Sequence, residues 1–312
     1  MSSTLFDLSI VIPVKDEELN IAIVSETIER VFESTGVRIE LIFVDDGSID
    51  ATWTQIKSKI HEPSSAFTVK GIKLAGNFGH LAAIEAGLRH CSGEYIATMD
   101  GDLQHPPSVL RKMWDILGSN DLVVAVKSTR TENLAKRILI KTFYRLIRKI
   151  SGLRFEPNTG EFRLMSRKLL DELLAIPDIN QVFRFSIARL GVSALYIEFD
   201  TPDRIHGKSK YRFGNLMQLA TTSIVTASVR PLRLVGWLSL FCLVFAIFEI
   251  VFSLFSFFSF NPIPGWTSLM IFMSVMFAAL FASLAIMGIY LGVVVEQLKR
   301  YPRYRISENQ DE

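Results

Sequence analysis

Apolar positions along residues 1–230 recur with two different spacings, one typical of buried strands and one typical of amphipathic helices. Between the strand-like runs, apolar residues recur every three or four positions, as they do from Ile21 to Phe32, which predicts helices. Strands that alternate with helices favour a mostly parallel sheet covered by helices. The sequence therefore predicts an α/β domain over residues 1–230. Its five predicted strands are residues 9–14, 39–44, 69–74, 95–99 and 122–126.

Residues that favour the start of a helix stand between these strands. Asp50 is a predicted N-cap for a helix that carries Trp53. A further helix is predicted around residues 81–90. Pro106 and Pro107 suit the first turn of the next helix, where the missing backbone N–H removes no hydrogen bond.

Two long apolar runs, residues 234–260 and 267–295, follow this domain. Each exceeds the roughly 20 residues that a helix needs to cross the hydrocarbon core of a bilayer. Residues 261–265 contain two prolines and a glycine, which predicts a turn and hence a two-helix transmembrane hairpin over 231–298. A tail that is first basic and then acidic occupies residues 299–312.

The charges around the hairpin predict its orientation. The turn between the runs has no Lys or Arg, whereas the flanks are basic, and an excess of basic residues marks cytoplasmic loops. We therefore expect a multi-pass protein of the inner (cytoplasmic) membrane, with the large domain and both termini in the cytoplasm. The flanking basic residues are Arg230, Arg233, Lys299, Arg300, Arg303 and Arg305.

Charge and cysteine content exclude only a few classes of partner and site. The net charge of +2 gives no argument for a nucleic-acid partner, and none is expected. Cys91 and Cys242 fall in different regions, so neither a disulfide framework nor a zinc site is expected. The first 14 residues lack a basic segment and a small-residue cleavage site, and they are interpreted as leading into the first strand rather than as a signal peptide.

Polar clusters follow three of the predicted strands, at residues 13–17, 45–48 and 100–102. In open sheets of this kind, ligands bind beyond the carboxyl ends of the strands. Each cluster alone is also compatible with an ordinary turn or helix cap, but their joint placement predicts one shared site. Carboxylates repel phosphate unless a cation bridges them, and oxygen ligands favour Mg²⁺ or Mn²⁺. No glycine-rich phosphate loop is present in the sequence.

The segments VIPVKDEE, FVDDGSID, NFGHLAAIEAGL and MDGDLQHPP, in this order and spacing, resemble glycosyltransferase family 2 with the GT-A fold. NTGEFRLMSR, DRIHGKSKY and the two apolar runs narrow the resemblance to the polyprenyl-phosphate glycosyltransferases, relatives of dolichol-phosphate mannose synthase. The branch that makes undecaprenyl-phosphate-glucose in bacteria and phages is the nearest. The resemblance covers nearly the whole chain.

The resemblance implies a metal-dependent, inverting transfer of a hexose from a nucleotide-sugar, by preference UDP-glucose, to undecaprenyl phosphate. It implies that Asp102, Glu161 and Arg204 are catalytic, with Glu161 either a base or a residue that orients the acceptor. It also implies a metal site of Asp100, Asp102 and Gln104. The nucleotide-sugar would be bound by Pro13, Lys15, Glu17, Asp45, Asp46, Asp100, Gln104 and Lys210.

Two departures from the family pattern affect these expectations. Lys15 and Asp16 stand where relatives often have Tyr-Asn, which changes the contact expected at the base. Glu161 stands where close relatives often have Asp, so its longer side chain either keeps the role or shifts it. The Q-x-x-R-W motif of processive synthases is absent from the sequence, which argues against a polymer-making enzyme.

Residues 133–150 predict a basic amphipathic helix suited to an anionic bilayer surface, and residues 213–229 predict a second surface helix. A solvated face on a core-packed helix is the alternative for the first of them. Two other functions remain open: transfer to a diacylglycerol-type lipid, and non-catalytic binding of nucleotide-sugars or lipid-sugars. A homo-oligomer, with a tetramer possible, is implied by the resemblance alone. The basic residues expected to contact lipid are Lys141, Arg145, Arg148 and Lys149.

Overall fold

The computed structural model describes residues 6–60, 67–128, 159–176, 187, 190–200, 265–298 and 302–310, and single residues between 235 and 251. The chain divides into two units. The first unit comprises Met1–Arg145, Leu153–Arg212 and Tyr301–Glu312, and the second comprises Leu146–Gly152 and Phe213–Arg300.

The described part of the first unit contains one sheet and five α-helices whose bounds the structure describes. The strands are β1 (Leu8–Val14), β2 (Ile39–Asp45), β3 (Phe67–Leu74), β4 (Tyr95–Thr98), β5 (Leu122–Lys127), β6 (Thr159–Ser166), β7 (Leu195–Phe199) and β8 (Ile306–Gln310). The helices are α1 (Ile21–Phe32), α2 (Thr52–Ile60), α3 (His80–His90), α4 (Pro107–Leu117) and α5 (Arg167–Leu174), with a 3₁₀ turn at Glu33–Thr35. The five predicted strands are confirmed, each to within two residues at either end.

The strand order in the sheet is β7-β5-β6-β4-β1-β2-β3-β8. β4, β1, β2 and β3 are parallel neighbours, which confirms the parallel core that the alternating pattern predicts. β6 is inserted antiparallel between β4 and β5, and β8 pairs antiparallel with β3. β5 and β7 are also parallel, so four of the seven strand pairings are parallel and the complete sheet is mixed.

Helices cover both faces of the sheet because strand side chains alternate between the faces. Leu8, Ile10 and Ile12 of β1 belong to the buried cluster that includes α1, α2 and α4. Val11, between them, belongs to the opposite cluster, which includes α3 and α5. α4 begins at Pro107, as the sequence predicts.

The C-terminal tail adds an edge strand to the sheet. β8 covers the outer edge of β3, and the Trp53 indole N–H donates to Glu308 at 3.1 Å. Arg303 lies 3.7 Å from the buried Glu85 carboxylate of α3, and Ile306 packs against the cluster on that face. The sequence pattern predicts only a charged tail here, so this strand is a feature of the fold that the pattern does not reveal.

The second unit contains α6 (Trp266–Leu298), a 33-residue helix that covers the second apolar run. At 1.5 Å per residue it is about 50 Å long. Its segment Val275–Gly292 has a mean hydropathy of 2.1, and its apolar side chains, such as Phe281 and Leu291, are exposed. Among the described residues it is the one helix that is long and apolar enough to cross a membrane.

The first apolar run is described only in part. The described residues between 235 and 251 are helical, and the Phe245 ring lies 5.2 Å from that of Phe272 in α6. The predicted turn at residues 261–264 lies outside the described residues, and so do the amphipathic segments 133–150 and 213–229. The two-helix hairpin therefore stays a prediction, supported by one apolar helix.

Candidate active site

A cavity of about 400 Å³ lies at the carboxyl ends of β1, β2, β3 and β4 in the first unit. The three polar clusters of the sequence meet there, because parallel strands end at the same edge of the sheet. The lining residues are Pro13, Val14, Lys15, Glu17, Asp46, Asn77, Gly79, His80, Asp100, Gly101 and Asp102.

The loop after β1 is tied to the loop after β2 by backbone-to-side-chain hydrogen bonds. The Asp16 N–H donates to the Ser48 hydroxyl at 2.9 Å, and the Ile49 N–H donates to the Asp16 carboxylate at 2.9 Å. Asp16 has a φ of +55°, in the left-handed region where Asp and Asn are the best tolerated residues after glycine. The pair of loops thereby holds Lys15 and Glu17 at the cavity.

Asp46 connects the β2 end to the start of α3. Its carboxylate accepts hydrogen bonds from the N–H groups of Phe78, at 2.7 Å, and Gly79, at 3.0 Å. Burial raises the pKa of Asp46, while these two hydrogen bonds and the nearby Lys15 oppose that rise. Asp46 therefore fixes the loop that forms one wall of the cavity.

Gly47 allows that wall to approach the β2 end. Its φ is +71°, and a Cβ there would lie 2.6 Å from the backbone carbon of Gly76 and 2.8 Å from the backbone nitrogen of Asn77. Real Cβ atoms do not approach backbone this closely, so any larger residue must displace the loop that carries Asn77.

Replacing Gly47 with alanine is expected to weaken nucleotide-sugar binding about tenfold or more and to lower the melting temperature. The left-handed backbone alone costs about 1–2 kcal/mol in a non-glycine residue, and the collision with Gly76 adds to it. Gly36→Ala is the matched control, because Gly36 has a φ of +69° with nothing within 4 Å of its Cβ position. Donor titration and thermal melting of both variants measure the difference; equal effects would contradict the close-approach argument.

The loop after β4 places Asp100 and Asp102 at the cavity. The Gln104 N–H donates to the Asp102 carboxylate at 3.1 Å, across Leu103, whose φ is +61°. Two imidazoles flank Asp100: the Nε2 of His80 lies 3.3 Å from Oδ1, and the Nε2 of His105 lies 3.5 Å from Oδ2. Burial lowers the pKa of His105, although the neighbouring Asp100 opposes that shift.

Gln104 and Glu161 lie beside the main cavity rather than in its lining. Gln104 lines a neighbouring cavity of about 100 Å³. The Glu161 carboxylate accepts a hydrogen bond at 2.6 Å from the buried Arg163, and the Thr98 hydroxyl donates to the Glu161 carbonyl. Glu161 is thus held by an ion pair close to the end of β4.

The structure brings together six of the residues singled out from the sequence and separates others from them. Asp45 is fully buried, accepts the Ser48 N–H at 2.8 Å, and does not line the cavity. Its proposed contact with the nucleotide-sugar has no geometric support here. The predicted residues in the lining are Pro13, Lys15, Glu17, Asp46, Asp100 and Asp102. Arg204, Lys210, Lys141, Arg145, Arg148 and Lys149 lie outside the described residues.

Asn77, Gly79 and His80 line the cavity but are not among the site residues predicted from the sequence. A signal for them is present: the polar segment NFGH follows the third strand in the way that the other clusters follow theirs. The strand-end rule that selects Asp46 and Asp100 also selects this segment when it is applied to every strand.

The charge of the lining is mainly negative. Glu17, Asp46, Asp100 and Asp102 face one described cation of the lining, Lys15. Among the described residues, no group of three or more His, Cys, Asp or Glu side chains has the geometry to hold a metal ion. An anionic ligand in this cavity therefore needs further positive charge, and two carboxylates with ligand oxygens can hold a divalent cation.

The fold and this cavity define the class of the protein, a glycosyltransferase with a GT-A-like mixed α/β sheet. The chain belongs to glycosyltransferase family 2, whose family model matches residues 9–174, more than half of the 312 residues. That assignment confirms the family that the sequence motifs indicate.

Similar proteins span almost the full length of this chain. An uncharacterised glycosyltransferase of Synechocystis is 31% identical over 97% of this chain and 95% of its own. A prophage-derived bactoprenol glucosyl transferase of Shigella flexneri is 30% identical over 97% of this chain and 98% of its own. The crystal structure of mannosyl-3-phosphoglycerate synthase from Rubrobacter xylanophilus has a TM-score of 0.50 and 16% identity, covering 74% of this chain and 75% of that one.

Proposed function

We propose that this glycosyltransferase moves glucose from UDP-glucose to undecaprenyl phosphate at the cytoplasmic face of the membrane. The observation that carries the proposal is the acidic cavity in which Asp46, Asp100 and Asp102 meet Lys15. Near-full-length relatives named as bactoprenol glucosyl transferases support the acceptor and the sugar. Inversion at the anomeric carbon is part of the proposal.

The residues at the β4 end fit a divalent cation. Oδ1 of Asp100 is buried and accepts no hydrogen bond within the described residues, although His80 is near. We propose that Asp100 and Asp102 would hold Mg²⁺ or Mn²⁺, and that Gln104, which lines the neighbouring cavity, would join them as a third ligand. When bound, the ion neutralises the charge that develops on the leaving diphosphate. Lys15, whose Nζ donates to the Asp46 carbonyl at 3.4 Å, adds a positive charge to the same lining.

The proposed acceptor is a lipid phosphate, which needs positive charge beyond that of Lys15 in this acidic cavity. Such a group is already anionic near neutral pH, so it attacks without a strong general base. Glu161 is paired with Arg163 at 2.6 Å, which favours a role in orienting the acceptor over a role as base. A diacylglycerol-type acceptor would present a hydroxyl and would need a base, so the ion pair favours the phosphate. Arg204 and Lys210 remain proposed partners of the diphosphate, outside the described residues.

Membrane attachment through both apolar runs is proposed on the length and exposure of α6. The tail, which the charge pattern assigns to the cytoplasm, contributes β8 to the sheet of the catalytic domain. The tail and the catalytic domain therefore lie on the same side of any membrane. Self-association, up to a tetramer, also stays a proposal, and the mass of the detergent-solubilised protein tests it.

The assay uses the purified full-length protein in detergent with Mn²⁺, labelled UDP-glucose and undecaprenyl phosphate. We expect the label to enter an acid-labile lipid product and to remain in the nucleotide-sugar when EDTA is added. Diacylglycerol and GDP-mannose in parallel reactions test the acceptor and the donor. Equal transfer to diacylglycerol would contradict the phosphate acceptor. Tight UDP-glucose binding without any transfer would favour a binding protein, and transfer unaffected by EDTA would contradict the metal.

A further inference from the structure

The His105 side chain lies directly behind the first carboxylate of the proposed metal site. Its Nδ1 accepts the backbone N–H of Asp100 at 2.9 Å. Because Nδ1 accepts this bond, the neutral ring carries its proton on Nε2, which lies 3.5 Å from Oδ2 of the same aspartate. One ring therefore touches both the backbone and the carboxylate of Asp100.

The ring is itself held in place by aromatic contacts. It stacks on Phe162 of β6, with centroids 4.6 Å apart and planes 12° apart. Phe199 of β7 meets it edge-on, with centroids 6.0 Å apart. Both phenylalanines are buried, so the rings couple the β4 loop to two strands on its far side.

The backbone of the loop is shaped to bring residue 105 back to residue 100. Leu103 adopts its left-handed conformation and packs against the core, and Asp102 accepts the Gln104 N–H. A left-handed leucine costs free energy, which such packing offsets. The hydrogen bond from Asp100 to His105 then closes the turn.

We propose that His105 is a positioning residue that fixes the backbone and carboxylate of Asp100 for metal-diphosphate binding, through its Nδ1 acceptor rather than through ring packing. The role of Asp100 in metal-diphosphate binding rests on the proposed function, whereas its hydrogen bond to His105 does not. The Asp100 N–H is partly buried and the loss of its acceptor is costly, so the turn relaxes and Asp100 moves.

Three substitutions separate the acceptor from the ring. His105→Asn retains an acceptor oxygen the same number of bonds from the backbone as Nδ1, but it has no ring. His105→Phe retains the ring and has no acceptor, and His105→Ala has neither. His90→Asn is the matched control, since His90 ends α3 and its Nδ1 bonds the Ala86 carbonyl at 2.8 Å within the same helix.

Binding of UDP to the full-length protein in detergent, measured by calorimetry with and without Mn²⁺, is the first readout. We expect the Phe and Ala variants to weaken the Mn²⁺-dependent binding on the order of tenfold, and the Asn variant and the His90 control to stay within about threefold of wild type. Binding without Mn²⁺ should be alike in all of them. If His105→Phe bound UDP as tightly as wild type, or more tightly than His105→Asn, ring packing alone would matter and the inference would be overturned.

Hydrogen exchange at the Asp100 amide in the ligand-free protein is the second readout. We expect slow exchange in wild type and in the Asn variant, and exchange at least about tenfold faster in the Phe and Ala variants. If wild type binds no UDP with Mn²⁺, the proposed function fails while this pattern still supports the hydrogen bond. Equal exchange in all variants would overturn the inference even if the transfer reaction is confirmed.

Discussion

Replacing Asp102 with asparagine is expected to lower the rate of glucose transfer at least about 100-fold, with the melting temperature within about 2 °C of wild type. The substitution removes a negative charge from the cavity but keeps Oδ1, which accepts the Gln104 N–H at 3.1 Å. The loop conformation is therefore retained. The rate falls because the cation is bound less tightly and the leaving diphosphate is stabilised less.

The measurement is the initial rate of transfer at saturating UDP-glucose over a series of Mn²⁺ concentrations. Asp115→Asn is the control, because Asp115 is an exposed aspartate of α4 that pairs with Arg111 across the surface of its own helix, away from the cavity lining. Its expected rate is that of wild type. Full activity of Asp102→Asn would contradict a metal bound by Asp102. Lys15 would then be the described positive charge that stabilises the leaving diphosphate.

The strand-end clusters explain why so much of this site follows from sequence. Each buried strand is a local apolar run, and the parallel arrangement brings the residues after each run to one edge. That rule is enough to place Asp46, Asp100 and Asp102 in one site. Asp45 shows its limit, since adjacent residues at a strand end point to opposite faces. The alternation indicates that one of the two aspartates faces the cavity but does not indicate which.

The features that the sequence does not predict depend on contacts between distant residues. β8 has the sequence ISENQ, which lacks an apolar alternation, and it forms a strand because the edge of β3 offers unpaired backbone groups. β6 lies between β4 and β5 in the sheet, and no local sequence pattern predicts this position. The contacts of the His105 ring with Phe162 and Phe199, and of the Glu161 carbonyl with Thr98, follow from these pairings and depend on the order of strands in the sheet.

Glu40 gives the contrasting prediction, at the end of the sheet opposite the active site. It is the second residue of β2 and is fully buried, and the catalytic edge lies five residues further along, roughly 17 Å away. Its carboxylate pairs with Lys70 at 3.1 Å and accepts the N–H and hydroxyl of Ser92, each at 2.8 Å. The Ser9 hydroxyl also donates to it.

Glu40→Ala is expected to destabilise the protein by roughly 3–5 kcal/mol, because it removes the buried carboxylate that Lys70, Ser9 and Ser92 share. For a domain of this size, we expect the melting temperature to fall by about 10 °C or more. Below that transition, the turnover number and the Mn²⁺ dependence should match wild type, since no group at the cavity changes. Thermal melting and transfer assays on the same preparation measure both effects.

Glu26→Ala provides the control for this loss. Glu26 pairs with Lys59 at 3.3 Å on the exposed side of α1, and exposed pairs contribute about 1 kcal/mol or less. A melting temperature of Glu40→Ala as high as that of the control would mean that the buried network adds little to stability. A selective loss of turnover in folded Glu40→Ala would mean that the two ends of the parallel strands are coupled. Together, Asp102→Asn and Glu40→Ala test whether residues at one end of the parallel strands stabilise the fold while residues at the other end carry out the chemistry.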